Sequence, residues 1–499
     1  MTAYGRPGVY ITERLLPAPL TSTATTSAAG ACVGTFSRGP ITVTRVSSWY
    51  EFSSIFGGYD IAHPATFGVG MFFQNGGTEL YVRRVLNSSS FATANLVTST
   101  ATVVAAFTAR TPGADGNKLR VEATRRGSTS YYDVVVYREN GSDAGTTDDI
   151  IVEQYLNVVF NDVNSPDYIV PLVNNSSQYL TMTIGAAASG VPLGTVLPLA
   201  GATTPDVAPT ATNFTDALAD FNTVGRPLVI FAPEIYRTTL STGTAATVVT
   251  GLVTWANAND GFAVVDTDAN VTVANAVTAA ASYGVSSNAA VYYPHMFMAD
   301  PLGRNSAAIR KVGPAGAVAG LYLSTDRQFG PYKAPAGLRT ALGGVVATER
   351  VFTSTELDTL NSSLTPVNAI RSIPGAGVVV MGARTLKQDG TANRYVSMRR
   401  SLIYLKKELQ GLTQFALFEN NDADLWARLR TSIGVFLTGY LNQGGLAGAG
   451  PTEAFFVKCD RENNSTDTVA NGEVHIEVGV ALEYPAEFVV LTLSQKTAA

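Results

Sequence analysis

The 499-residue sequence predicts a multidomain protein of mixed α+β and α/β class carrying an inserted all-β, sandwich-like domain. Three observations carry that expectation. The apolar runs Leu228-Val229-Ile230-Phe231 and Phe262-Ala263-Val264-Val265-Asp266 do not alternate, as in strands covered on both faces. Between about Asn95 and Pro205, short alternating runs (119–123 and 132–137) are separated by Gly, Asn and Asp clusters. The last third, from about Leu342, carries the strongest helical periodicity.

Residues 1–27 read as an extended arm and linker. Gly5, Pro7 and Gly8 disfavour a helix, while Val9, Tyr10, Ile11 and Thr12 form one short strand. Pro17, Pro19 and the Ser/Thr-rich run to Ser27 follow as linker. A strand ahead of a linker has no local partner and must pair elsewhere in the fold or on another chain. Residues 28–94 turn α/β. Residues 31–34 read as a buried strand, and 47–56 as a capped helix with Trp49, Phe52 and Phe56 on one side. Residues 80–82 read as a second strand. Residues 95–205 form the β-rich insert. The α/β pattern resumes over 206–341, with helices at 244–257 and 271–282 and a third apolar strand at 289–293.

Residues 342–484 are expected to form a C-terminal core domain. Met398, Leu402, Leu405 and Leu409 repeat at spacings that share one helix face. A second helix begins near Asn421 as N-cap, with Asp422 and Asp424 in its first turn and Leu425, Leu429, Ile433, Phe436 and Tyr440 as its stripe. Gly444 supplies a left-handed stop. Strand-like segments follow at 454–458 and 474–482. Residues 485–499 read as a terminal arm with a strand at 488–493 that includes Phe488, Val489, Val490, Leu491 and Leu493.

Composition narrows the function. Charged residues are only 15% of the chain, against about 25% in an average soluble protein, which suits a surface packed against copies of itself. The net charge of -5 offers no basic excess for phosphates, so nucleic acid is not an expected partner. Cys32 and Cys459 lie far apart and read as reduced, buried thiols, and His63, His295 and His475 have no neighbours at metal-ligand spacing. No secretory leader is visible, and Gly and Pro break the uncharged stretch 184–204, so no membrane insertion is expected.

Three glycine-rich stretches fail as phosphate loops and read as tight turns: 313–320, 375–377 and 443–450. Asp148-Asp149 and Asp266 with Asp268 lack a His or third carboxylate and read as solvated turns or strand ends. No catalytic, cofactor or metal constellation stands out, and no enzyme is expected. Arg399-Arg400 with Lys406-Lys407 is either a solvated helix face or a cationic patch meeting acids on a neighbouring copy, with Asp422, Asp424, Glu483 and Glu487 as the acidic side.

Read residue by residue, the chain resembles the tail sheath proteins of contractile phage tails and related contractile injection systems. Ala319-Gly-Leu-Tyr322-Leu-Ser-Thr325-Asp326 through Lys333-Ala-Pro-Ala336 resembles the family's AG-x-Y-x-x-TD and KAPA segment. Gly382-Ala-Arg384-Thr-Leu386 and Arg394-Tyr-Val-Ser-Met-Arg-Arg400 resemble its GARTL and RYVNVRR pair. Phe418-Glu-Asn-Asn-Asp422, Ala454-Phe-Phe-Val-Lys-Cys-Asp460, Pro485-Ala-Glu-Phe488, the opening Pro7-Gly-Val-Tyr10 and the insert's Pro112-Gly-Ala-Asp-Gly-Asn117 complete the likeness. It is weakest over 128–214. Met381, Ser397 and Asn420 stand where the family has Trp, Asn and Pro.

The resemblance implies a six-start helical tube of subunits around an inner tail tube, with baseplate and tail terminator proteins as further partners. It implies a core built from both chain ends that faces the tube, and an insert that faces outward. The terminal arms, through Val9 to Thr12 and Phe488 to Leu493, would add strands to sheets of neighbouring subunits. Contraction would be a rigid-body rearrangement needing no cofactor. The place implied is the virion tail, assembled in the bacterial cytoplasm, for genome delivery; the alternative is an injection system without genome delivery.

Overall fold

Strand β1 (Ala29–Gly34) is buried at every position, as its small residues allow between two helical layers. The computed structural model describes residues 28–487 except 88–89, 141–148, 193, 195, 203–208, 238–239, 306 and 391. These form two compact units, one holding Tyr404–Glu483 and the other the remaining described stretches.

In the larger unit, β2 (Thr44–Val46), α1 (Trp49–Phe56), α2 (Ala65–Gln74) and β3 (Leu80–Arg84) follow β1. The Ser48 side chain accepts from the Glu51 amide and starts α1, whose Phe52 and Phe56 turn inward as expected. The chain then leaves for the insert: β4 (Thr93–Val97), β5 (Val103–Ala109), β6 (Leu119–Arg125), β7 (Tyr132–Arg138), β8 (Ile150–Val158), α3 (Ile169–Ser176), β9 (Leu180–Ile184) and β10 (Leu197–Pro198). Two sheets, β4-β5-β9 and β10-β6-β7-β8, enclose one core that includes Leu96, Phe107, Val121, Val134 and Met182. Arg84, fully buried, fastens the insert to the strand it leaves. Its Nη1 donates to the Pro112 carbonyl at 2.8 Å and its Nε to the Phe36 carbonyl at 2.9 Å.

On return, α4 (Ala211–Ala219), β11 (Leu228–Phe231), α5 (Thr242–Ala258), β12 (Phe262–Asp266), α6 (Val273–Ser282) and β13 (Ala289–Tyr293) alternate. A small sheet, β14 (Met296–Ala299), β15 (Ile309–Val312) and β16 (Val345–Thr348), flanks α7 (Ala315–Phe329) in sequence. Then come α8 (Ser354–Ser362), β17 (Val367–Ile373), β18 (Gly377–Val380) and α9 (Val396–Thr413). Eight strands make one sheet in the order β18-β17-β13-β12-β11-β1-β3-β2, parallel from β3 to β17. One face packs on residues of α1, α2 and α7, the other on α4, α5 and α6. The sequence boundary at Leu342 does not coincide with a break in this unit. β17 joins the sheet beside β13 (Val291↔Val367), so residues 342–403 share the α/β body.

One expectation is overturned here. Gly316 and Gly320 are not turn residues but lie inside α7. A β-carbon at Gly316 would fall against the Gly68 carbonyl oxygen, and one at Gly320 against that of Phe72, so these glycines let α7 cross α2 at backbone distance. Gly375, at φ +81°, does lie in the β17–β18 turn, and Gly377, at φ +79°, is the first residue of β18.

The smaller unit holds the end of α9, α10 (Ala423–Asn442), α11 (Pro451–Ala454), β19 (Phe455–Lys458), α12 (Thr466–Ala470) and β20 (Glu477–Val480). Leu425, Trp426, Leu429 and Cys459 form a core cluster. The N-cap of α10 is Asp422, not Asn421: its carboxylate accepts from the Leu425 amide at 2.9 Å. The Asn421 side chain is occupied by Trp426 Nε1 and the Glu473 carbonyl, each at 2.8 Å. Gly444, at φ +84°, ends α10 as expected.

Candidate assembly interface

The candidate exchange residues Val9, Tyr10, Ile11, Thr12, Phe488, Val489, Val490, Leu491 and Leu493 lie outside the described residues. The chain leading into the second group is described, and it is fastened. Arg384, 6% exposed, donates from Nε and Nη2 to the two carboxylate oxygens of Glu487 at 2.8 and 2.7 Å. Its Nη1 donates to the Asn361 carbonyl and to Gln388 Oε1. Asn368 of β17 holds the Arg384 backbone from both sides, donating to its carbonyl and accepting from its amide. A planar guanidinium matched to a carboxylate in this way fixes geometry as well as charge. Glu487, expected as a surface acid, is thus taken up within its own chain, and Arg384 is the partner that residue-type reasoning passed over.

Arg400 is likewise not a surface cation. It is 4% exposed and forks onto Asp326, with Nη1 donating to Oδ1 at 2.9 Å. Its guanidinium lies 4.6 Å from the centre of the Tyr322 ring, and the Tyr322 hydroxyl meets that of Tyr292. Burial pushes the Asp326 carboxyl above its usual range, and the Arg400 charge opposes that rise. Tyr322 and Asp326 are four residues apart on α7, hence on one face. The AG-x-Y-x-x-TD and RYV-x-x-RR segments therefore meet at one buried charge pair. Arg399 is half-buried and donates from Nε to Asn288 Oδ1 at 2.9 Å. Lys406 is exposed, Lys407 reaches Gln410 at 3.2 Å, and Asp422, Asp424 and Glu483 are exposed. Of these, Asp422 already spends its carboxylate on the α10 cap.

Asp266 is not a solvated strand end. It is 4% exposed and its Oδ1 accepts from the Ala315 amide at 2.6 Å, while Glu234, 3% exposed, accepts from the Gly313 amide. The two acids satisfy amides at the start of α7, whose N-cap, Pro314, provides no side-chain cap. Burial, then the nearby Glu234 charge, drives the Asp266 carboxyl well above its usual range. Asp149 pairs with Arg120 at 3.2 Å. Among the described residues no three His, Cys, Asp or Glu side chains group as a metal site, and no helix is long and apolar enough to cross a membrane.

The smaller unit carries a two-stranded ribbon. β19 and β20 pair from Phe455↔Val480 to Lys458↔Glu477, and no third strand joins them among the described residues. No residue of either strand is fully buried, and Phe456 is 54% exposed. Two-stranded ribbons are marginal in water, and an edge that no strand covers is where another strand can add.

Known proteins bear on this geometry. No family model matches the chain. A tail sheath protein of Vibrio phage KVP40 is 28% identical over 183 residues, spanning 36% of this chain and 26%, about a quarter, of that protein. The helical sheath of the anti-feeding prophage in its contracted state matches 99% of this chain and 100% of its own, at TM-score 0.59 and 21% identity. This chain has the tail sheath fold. The sheath tail protein of Listeria innocua gives TM-score 0.62 at 13% identity, over 92% of this chain and 96% of that one. The sheath of an extracellular contractile injection system, PVC, also contracted, gives 0.58 at 22% identity over 99% of both. The resemblance read from the motifs and the mixed α/β class with a β-sandwich insert are both borne out.

Proposed function

We propose that this chain is the structural subunit of a contractile tail sheath. It polymerises as a six-start tube around an inner tail tube, between baseplate and tail terminator proteins, in the tail of a bacteriophage. Contraction is a rigid-body repacking from one helical lattice to a shorter and wider one, and drives the tube through the host envelope for genome delivery. The free energy is the difference between two packings of the same subunits, so neither catalysis nor a cofactor enters. The observation that carries this reading is the correspondence along 99% of the chain to a sheath subunit.

Strand exchange supplies the links. Residues 9–12 and 488–493 add to sheets of neighbouring subunits, and the open edges of β19–β20 are the natural acceptor. The Arg384–Glu487 fork keeps the root of the C-terminal arm on its own subunit. A second reading, an injection-system sheath without genome delivery, is favoured by the end-to-end matches to sheaths of such systems.

Deleting residues 1–16 tests the arms. The truncated subunit is expected to be soluble and folded by circular dichroism, yet to form no tubes in negative-stain electron microscopy where the full chain does. Normal tubes from the truncation would remove the N-terminal arm from the mechanism.

A further inference from the structure

Phe418 is fully exposed, and its neighbour Leu417 is 70% exposed. Phe418 sits at φ +65°, a conformation that bulky residues rarely adopt. The loop around it is braced. The Trp426 indole and the Glu473 carbonyl hold Asn421, Asp422 caps α10, and Glu419 lies 3.6 Å from Arg428, whose guanidinium sits over Phe415. A braced loop that holds an aromatic ring in water on left-handed backbone has the form of an interface anchor.

The larger unit presents a matching concavity. A pocket of about 450 Å³ is lined by Leu321, Phe329, Lys333, Ala336, Arg339 and Gly343, among others, and so includes the KAPA segment. Phe329 is 44% exposed, and Leu338, next in sequence to Arg339, is 62% exposed. The Arg339 guanidinium lies 5.0 Å from the Phe329 ring. Among the described residues neither Lys333 nor Arg339 forms an ion pair. The pocket therefore joins an apolar wall to two cations without acidic partners, and the knob joins an aromatic to an acid.

We propose that Phe418 of one subunit seats in the Lys333–Arg339 pocket of a second copy, with Glu419 meeting the two cations. This rests on the sheath reading, because an open helical lattice needs two different, complementary patches on one chain. Charge complementarity selects the occupant: the pocket is apolar and cationic, and Leu417-Phe418-Glu419 is apolar and acidic. The contact assigns an assembly role to the KAPA and Phe-Glu motifs, which the buried charge pairs leave unexplained.

The test compares tube formation by the full chain, by Phe418→Ala, and by Lys333→Glu with Arg339→Glu, each checked for an unchanged melting temperature. The wild type is expected to form tubes while these variants stay unassembled, and adding Glu419→Lys to the pocket variant should restore tubes. In an oxidised mixture of Phe418→Cys and Ala336→Cys subunits, a disulfide-linked pair should appear that neither variant gives alone; Cys32 and Cys459 are both fully buried. Wild-type tubes accompanied by normal variant tubes, or by no mixed disulfide, would overturn the contact and leave the sheath reading standing. Wild-type subunits that never assemble would overturn self-assembly itself, and this contact with it.

Discussion

Removing the Arg400 guanidinium leaves Asp326 buried without its ion partner beside Tyr322. Breaking one side of a buried pair costs about 3–5 kcal/mol, whereas replacing both sides by apolar groups of similar volume is often near neutral. Arg400→Ala is therefore expected to lower the unfolding free energy of the isolated subunit, read from urea titration, by that amount, and Arg400→Met with Asp326→Leu to recover most of it. A loss under about 1 kcal/mol for Arg400→Ala would mean that water reaches the pair. Adjacency in sequence concealed this pair. Arg399 and Arg400 read as one patch, but neighbours on a helix point about 100° apart, and here one is half-buried and the other enclosed. The first turns of α9 are buried on several sides, with Val396, Ser397, Met398, Arg400 and Ser401 all enclosed, so one apolar stripe could not show which charge faced inward. An arginine inside the apolar Gly382–Leu386 motif was the available sign of a buried partner, and it pointed to Arg384.

At the scale of elements, strands and helices defined by local chemistry were legible. The unbroken apolar runs became β11 and β12, adjacent in the parallel layer; the capped helix read at 47–56 is α1, begun by the Ser48 side chain, and Gly444 ends α10 on left-handed backbone. Glycines whose role is set by another element were not. Gly316 and Gly320 make sense only once Gly68 and Phe72 lie beside them, information absent from their own stretch of sequence. Gly320→Ala is expected to force α7 from α2 and cost about 1–3 kcal/mol, the usual range for overpacking, despite alanine's better helix propensity. A denaturation midpoint that rises with alanine would show that the crossing can widen freely. Asn421 and Asp422 make the same point on a smaller scale: both are good caps, and the contact of Asn421 with Trp426 decides between them.

For the whole molecule, a charge-poor composition, terminal sequences with strand character and a two-stranded ribbon among the described residues are the grounds for the proposed strand exchange between subunits. Val489→Pro tests this at the C-terminal end. Proline removes an amide and fixes φ, so an interchain strand should fail to pair while the subunit's own melting temperature stays the same. Tubes should be lost in electron microscopy; an unfolded isolated subunit would instead place that strand in its own core. The division of the chain was less legible than its elements, because strands separated by about 75 residues, at 289–293 and 367–373, carry no local mark of lying side by side, and the second is interrupted by Asn368, Arg371 and Ser372.

The Arg384–Glu487 fork also acts as a rivet. A pull on the chain beyond Glu487 meets two parallel charge-assisted bonds before it can peel away any strand. Through Asn368 the load passes to β17, which is hydrogen-bonded to β13 on one side and β18 on the other. Tension on the tail is thereby shared across the widest sheet of the larger unit. A neighbour tugging on that tail would tow the α/β body as one piece rather than unravel it.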